Sequence, residues 1–165
     1  MGPLGTDDYD FRVTFTAPAV AGEILTIGAS LYEGTDGNDF YRTTAGMDQE
    51  IFGNGGSDIL ISSSGVKTMT GGTGADQFVW PDDASLANLD IITDFNVAEG
   101  DQLNLGGLVN FDVQLDVPSD FVRLNGSVLE VSPDGDGISW SPVVELQGIT
   151  SFDPNALFSS GNLLL

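Results

Sequence analysis

The chain has 165 residues, which is about the length of one domain. Acidic residues outnumber basic residues by 25 to 4, and the net charge of −21 argues against nucleic acids and anionic membrane surfaces as partners. The absence of His and Cys excludes a His general base, His-ligated zinc and thiolate chemistry. No apolar run is long enough to cross a bilayer, and the first residues lack the basic and apolar regions of a signal peptide. We therefore expect neither an enzyme nor a membrane-inserted protein.

Residues 1–33 precede a glycine-rich region and contain two candidate strands. Residues 11–15 alternate apolar and polar side chains, and residues 23–27 carry a second β-type run. We expect this segment to cover the first strand of the region that follows, because an exposed strand edge invites pairing with other chains. The alternative is that it is the remainder of a preceding domain.

One short sequence occurs three times in the glycine-rich region. The copies are GTDGND at 34–39, GNGGSD at 53–58 and GGTGAD at 71–76. A large apolar residue follows two positions after the aspartate of each copy: Tyr41, Leu60 and Phe78. The fourth-position glycines belong to a longer series with steps of nine, ten, nine and nine residues: Gly37, Gly46, Gly56, Gly65 and Gly74. Residues 34–79 therefore contain five rows, of which the second and fourth keep only the central glycine.

This pattern resembles the calcium-binding nonapeptide repeat of RTX proteins. The resemblance implies that each row forms a glycine turn and a short strand, and that two rows complete one circuit of a parallel β-roll. The predicted fold is all-β, with a short parallel β-roll of RTX nonapeptide repeats at 34–79 capped by an antiparallel β-rich C-terminal region. Calcium takes about six to eight oxygen ligands, and glycine turns can direct backbone carbonyls inward because glycine tolerates positive φ.

The resemblance also implies where calcium binds. Alternate rows share an edge of the roll, so Asp39, Asp58 and Asp76 should form one column, with ions between rows one and three and between rows three and five. On the other edge the acidic position holds Asp48 and Lys67, and an ammonium there should leave that edge largely without calcium. The predicted ligands are Gly34, Asp36, Asp39, Gly53, Asn54, Gly55, Gly56, Asp58, Gly71, Gly72, Thr73, Gly74, Asp76 and Asp90.

The eighth position of each row should point into the roll and fill it. The residues at this position are Tyr41, Leu60, Met69 and Phe78 in four of the rows. The second row has Glu50 there, and its ten-residue step predicts a bulge that turns Ile51 or Phe52 inward instead.

Residues 80–110 are predicted to cap the roll. An acidic and apolar strand at 90–95 is followed by Gly-Asp and a Leu-rich strand at 100–105. This order resembles the segment that closes RTX repeat blocks in type I secreted proteins. It implies that Asp90 lies beside Asp76 and completes the last calcium site, with Asp94 and Asp101 as further candidates. The alternative is a solvated strand with alternating faces.

Residues 111–165 are predicted to begin with an antiparallel meander. Asn125-Gly126 separates two β-type runs, as in a hairpin, and 143–146 is the returning strand. The turn at 132–137 contains two aspartates, but it lacks the length and the closing glutamate of an EF-hand loop. A plain turn is therefore favoured there over a further calcium site.

The last fifteen residues combine a helix signal with an apolar tail. Asp153 and Pro154 indicate an N-cap followed by Pro at the first helical position, and residues 163–165 are all Leu. This tail resembles the uncleaved signal that type I secretion ABC transporters read, and residues 34–165 resemble the C-terminal secretion-target region of giant RTX adhesins. The resemblance implies a secreted or cell-surface bacterial protein with preceding domains and with the transporter as partner.

Two functions stay open from the sequence. The first is a calcium-binding C-terminal module of a large extracellular adhesin, which folds on calcium after export and carries the secretion signal. The second is an RTX accessory module of a secreted enzyme such as a polysaccharide epimerase, lipase or protease. The strong negative charge argues against direct binding of polyanionic sugars, and the rows show no series of basic or aromatic residues.

Overall fold

The structure, a computed structural model, describes residues 24–25, 30–82 and 88–165. Within these ranges the strands are β1 Ile24–Leu25, β2 Leu31–Glu33, β3 Phe40–Arg42, β4 Gln49–Phe52, β5 Ile59–Ile61, β6 Lys67–Thr70, β7 Gln77–Val79, β8 Asp90–Ile92, β9 Gln102–Asn104, β10 Val122–Asn125, β11 Val128–Val131, β12 Ser141–Leu146 and β13 Leu163–Leu164. The helices are α1 Pro118–Phe121 and α2 Pro154–Ser160, and neither is long and apolar enough to cross a membrane. The candidate strand at 11–15 lies outside the described residues.

The strands form two sheets, and successive strands from β2 to β9 alternate between them. The first sheet has the order β1-β3-β5-β7-β9-β13, and the second has the order β10-β11-β12-β8-β6-β4-β2. Every pairing among β2 to β9 is parallel. We call this part, residues 31–82 and 88–104, the parallel stack. A β-rich fold with largely parallel sheets is therefore confirmed, and β1 pairs with β3 where a covering strand was predicted.

The side chains that fill the parallel stack come from the middle of each strand. Leu60, Met69 and Phe78 are completely buried, and Tyr41 is nearly so, which confirms the inward positions predicted from the repeat. Successive residues of a strand point to opposite faces, so one such residue per row faces the interior. Full burial of each large apolar side chain contributes about 1.5–3 kcal/mol.

The ten-residue row places its strand one position later than the repeat predicts. Ile51 is completely buried and Glu50 is exposed, which confirms an inward Ile51. The register pairs Gln49, not Asp48, with Lys67. The assignment of Asp48 to the acidic position of its row is therefore wrong, because the additional residue lies between the central glycine and the strand.

The C-terminal region adds an antiparallel meander and a last parallel strand. β10 and β11 form the predicted hairpin, with Gly126 at φ 68° in its turn, and β12 continues the meander and then pairs in parallel with β8. The Asp153 side chain accepts hydrogen bonds from the Asn155 and Ala156 amides, which confirms the predicted helix cap. β13 pairs with β9, so the apolar tail extends the first sheet.

One hydrophobic core joins these parts. It runs from Tyr32 at the start of the parallel stack, through Leu103 and Val144, to Leu163 in the last strand. β8 and β9 extend both sheets beyond residue 79 with the same alternation as the rows before them. The boundaries of the four segments predicted from the sequence stay predictions, but the described residues share a continuous interior.

Candidate metal centre

Four aspartates form a column along one edge of the parallel stack. Asp39, Asp58, Asp76 and Asp101 each come directly before a strand of the first sheet. The strand registers place these four residues next to one another in that order. The structure thus brings together the three aspartates that the repeat predicted and adds a fourth. We call this set the aspartate column.

Hydrogen bonds from a backbone amide to a side-chain carboxylate link each member of the aspartate column to the next. The Asp39 amide donates to Oδ1 of Asp58 at 2.7 Å, the Asp58 amide donates to Oδ1 of Asp76 at 2.8 Å, and the Asp76 amide donates to Oδ1 of Asp101 at 3.0 Å. Oδ1 of Asp58, of Asp76 and of Asp101 is therefore used to hold adjacent turns in register. The second oxygen of each is left for other partners.

The second oxygen finds a protein donor only at the ends of the aspartate column. Oδ2 of Asp39 accepts the amide of Thr35 at 2.7 Å, and Oδ2 of Asp101 accepts the amide of Asn96 at 2.8 Å. Among the residues that the structure describes, the buried side-chain oxygens without a hydrogen-bond partner are Oδ2 of Asp58 and Oδ2 of Asp76. A buried, unpaired carboxylate oxygen is costly unless a cation compensates it.

The first glycine of each turn makes room for these oxygens. A Cβ on Gly53 would collide with Oδ2 of Asp58 and with the carbonyl oxygen of Gly71, and a Cβ on Gly71 would collide with Oδ2 of Asp76. A Cβ on Gly34 would collide with the carbonyl oxygen of Gly53. The absence of side chains at these positions therefore leaves spaces that carboxylate and carbonyl oxygens border.

The turns are also joined through their backbones. Gly56 and Gly74, the fourth residues of two turns, have φ of 106° and 123°, which side chains rarely permit. The amide of Gly55 donates to the carbonyl of Thr35 at 3.2 Å, and the amide of Gly56 donates to the carbonyl of Thr73 at 3.0 Å. These contacts stack the turns of rows one, three and five directly on one another.

Burial and mutual repulsion disfavour the ionised carboxylates of the column. Burial raises the pKa of Asp58 to about 6. The hydrogen bond from the Asp39 amide acts to lower this pKa, and the charges of Asp76 and Asp39 act to raise it. Burial likewise raises the pKa of Asp76, and it raises that of Asp101 to about 6. Carboxylates one strand apart, roughly 4.8 Å, repel by about 3 kcal/mol at an effective dielectric constant of 20. A cation between these carboxylates would reduce their repulsion at neutral pH.

Three of the predicted ligands have exposed side chains: Asp36, Asn54 and Thr73. Asn54 adopts φ 76° and its side-chain amide donates to the carbonyl of Gly34 at 2.8 Å, which gives it a role in turn stacking. Gly72, at φ 97°, donates its amide to Asp94 at 2.8 Å.

Asp90 does not lie beside Asp76, and its predicted placement is wrong. The pairing of β6 with β8 puts Asp90 next to Lys67 on the opposite edge. There its carboxylate accepts hydrogen bonds from the Lys67 amide at 2.8 Å, from Oγ of Ser62 at 2.5 Å and from Nε1 of Trp80 at 2.9 Å. We call Gln49, Lys67 and Asp90 the second column.

Asp94 and Asp101 close the far end of the aspartate column. The two carboxylate oxygens of Asp94 accept the amides of Gly71 at 3.0 Å and Gly72 at 2.8 Å. Asp101 stands where Asp90 was expected. A signal for this exists in the sequence, because Asp101 is followed by a Gln and a large apolar residue, as Asp76 is.

The oxygens along the aspartate column suit a hard divalent cation. Calcium prefers carboxylate and carbonyl oxygens, and Oδ2 of Asp58 lies close to the carbonyl oxygen of Gly71 across the space beside Gly53. Within the described ranges, no group of three or more His, Cys, Asp or Glu side chains is arranged to hold a metal. An ion at this column would combine carboxylate oxygens of the column with backbone carbonyls of the turns.

The turn at 132–137 contrasts with the aspartate column. Oδ1 of Asp136 accepts hydrogen bonds from the amides of Ile138 at 2.8 Å and Ser139 at 3.2 Å, and these bonds lower its pKa. The carboxylate is thus engaged by its own turn, in agreement with the plain turn that the sequence favours.

No protein-family model matches the chain, and no curated protein is significantly similar to it. The function is therefore inferred from the residues themselves.

Proposed function

We propose that this chain is a calcium-binding module of the RTX type, which folds outside the cell as the C-terminal part of a large extracellular bacterial adhesin. The observation that carries the proposal is the pair of buried oxygens, Oδ2 of Asp58 and Oδ2 of Asp76, which lack hydrogen-bond partners beside side-chain-free glycine positions. Asp39, Asp58 and Asp76 would hold the ions together with carbonyls of the stacked turns. Bound calcium supplies positive charge between these carboxylates.

The energetics of the column couple calcium binding to folding. The carboxylates come together only in the folded chain, so the free energy of calcium binding adds to the free energy of folding. With a net charge of −21, the compact state also repels itself until cations reduce the repulsion. Extracellular calcium modules have Kd values of about 10⁻⁴–10⁻³ M. Such sites stay empty in the cytosol and fill outside the cell.

The burial of the C-terminal tail in the folded chain favours export before folding. Leu163 is completely buried in the first sheet, and the Asn162 side chain donates to the backbone carbonyl of Asp101 at 2.6 Å. A transporter that reads this tail must therefore meet it before the sheet forms. Scarce cytosolic calcium keeps the chain unfolded for the type I secretion ABC transporter, and calcium outside the cell then drives folding.

A calcium titration of the purified chain tests this proposal. In EGTA we expect a largely disordered far-UV circular dichroism spectrum and a large scattering radius, and about 1 mM calcium should produce a β-type spectrum and a compact radius. Magnesium at the same concentration is the matched control. It should have little effect, because it demands smaller octahedral sites and keeps its water ligands. A chain that is fully folded in EGTA, or that responds equally to both ions, contradicts the proposal.

A further inference from the structure

A completely buried lysine lies on the edge of the parallel stack opposite the aspartate column. Lys67 has no exposed surface, although lysines are almost never fully buried without a partner. Its Nζ donates to the carbonyl oxygen of Met47 at 2.5 Å and to that of Ser64 at 2.7 Å. Both acceptors are turn carbonyls, one from the second row and one from the fourth. The ammonium therefore bridges two stacked turns.

Lys67 occupies the same place in its row that the aspartates occupy in theirs. It lies two residues before the inward-facing Met69, as Asp58 lies two residues before Leu60, and its amide donates to Oδ1 of Asp90 at 2.8 Å. This bond repeats the one from the Asp58 amide to Asp76. Gly65, at φ 92°, provides the space for the ammonium, because a Cβ there would lie 3.0 Å from Nζ.

Two nearby carboxylates offset part of the cost of burying the Lys67 ammonium. Burial lowers its pKa, while the carboxylates of Asp90 and Asp48 favour the charged form. Asp90 has its oxygens occupied by Ser62, Trp80 and the Lys67 amide. The second column thus contains no unpaired carboxylate oxygen among the described residues, in contrast to Asp58 and Asp76.

We propose that the Lys67 ammonium takes the place of a metal ion between the second and fourth turns. The chain's own cation then holds the turns together at one edge of the parallel stack, and calcium holds them together at the other edge. The comparison between the two edges rests on the proposed function, because it takes calcium to bind at the aspartate column. A lysine reaches further from Cα than an aspartate by roughly one calcium–oxygen distance, about 2.3–2.6 Å. We therefore expect an ion held by an aspartate at position 67 to lie near the place of Nζ, against the carbonyls of Met47 and Ser64.

Variants at position 67 separate this role from ordinary packing. Lys67→Met keeps most of the side-chain volume but leaves the carbonyls of Met47 and Ser64 without their donor. We expect the midpoint of urea unfolding at saturating calcium to fall by about 1 M or more. Arg123→Met is the matched control, because it removes the same charge from a partly exposed ion pair with Glu130. It should shift the midpoint only slightly.

Lys67→Asp supplies the decisive second measurement. Native mass spectrometry in calcium should show more bound calcium than the wild-type chain holds, and calcium should restore a folded circular dichroism spectrum that EGTA abolishes. Equal urea midpoints for Lys67→Met and Arg123→Met would overturn the inference. So would a Lys67→Asp chain that binds no additional calcium or that stays unfolded at every calcium concentration. Failure of the proposed function looks different, because the wild-type chain would then ignore calcium.

Discussion

Replacing Asp58 by Asn should remove most of the calcium response while sparing the calcium-free chain. The amide oxygen of Asn can still accept the hydrogen bond from the Asp39 amide, but the buried charge that faces both neighbours in the aspartate column is gone. In EGTA, where the wild-type chain is expected to be largely disordered, the variant should be no less folded than the wild type, because a carboxylate whose pKa burial raises no longer has to be ionised. In calcium the variant should be much less stable than the wild type.

The size of this effect follows from the position of Asp58 in the middle of the column. Loss of an outer-shell partner of a metal costs roughly 10–100-fold in affinity, and loss of a direct carboxylate ligand should cost at least as much. Calorimetric calcium titration measures it directly. Asp48→Asn is the matched control, because Asp48 is exposed on the opposite edge, where it accepts the Val66 amide at 2.9 Å. Equal losses of affinity in the two variants would contradict a calcium column on one edge.

A single methyl group at Gly53 should have the second largest effect. The backbone of Gly53 does not adopt positive φ, so Ala is conformationally acceptable there. Its Cβ, however, would enter the space bordered by Oδ2 of Asp58 and the carbonyl of Gly71. We expect about 1–3 kcal/mol of destabilisation from the forced shift, measured by urea unfolding at saturating calcium, and a weaker calcium response, measured by calcium titration of the circular dichroism signal.

Gly106→Ala provides the comparison for this variant. Gly106 is exposed, and a Cβ there would meet its nearest atom, the carbonyl carbon of Leu165, at an ordinary 3.4 Å. The free energy of unfolding should change by less than about 0.5 kcal/mol. A Gly53→Ala chain that behaves like Gly106→Ala would show that the space beside Asp58 has no function.

Sequence reasoning succeeds here wherever the repeat keeps a constant length. Rows of nine residues place Asp58 and Asp76 next to each other and turn Leu60 and Phe78 inward, and the structure shows these four placements. The physical reason is that strand periodicity and turn length together fix each residue's position relative to the row before it. A regular spacing therefore predicts three-dimensional neighbours directly.

The predictions fail where the connections change length. Asp48 was assigned to the acidic position because its row was aligned on Gly46, but the additional residue moves that position to Gln49. The place predicted for Asp90, beside Asp76, follows from the resemblance of residues 90–105 to the segment that closes RTX repeat blocks. The chain instead returns first to the second sheet, so that Asp101 reaches the aspartate column. Spacing alone does not reveal which sheet a strand joins after an irregular connection.

The role of Lys67 illustrates a different limit of the sequence. The repeat shows that a lysine stands where an aspartate is usual, which predicts an edge with little calcium. It does not show that the ammonium reaches the carbonyls of Met47 and Ser64, since that depends on the stacking of rows two and four. Lys67 thus stands in the place of an aspartate of the repeat, and its ammonium holds the turns of rows two and four together through hydrogen bonds.

The most direct test of the account is a crystal structure of the chain grown in calcium, with anomalous diffraction used to locate the ions. We expect anomalous peaks from calcium beside Oδ2 of Asp58 and Oδ2 of Asp76, with turn carbonyl oxygens about 2.3–2.6 Å from each ion. We expect no peak at the position of Nζ of Lys67. Absence of peaks along the aspartate column, or ions bound elsewhere while Asp58 and Asp76 keep unpaired oxygens, would contradict the account.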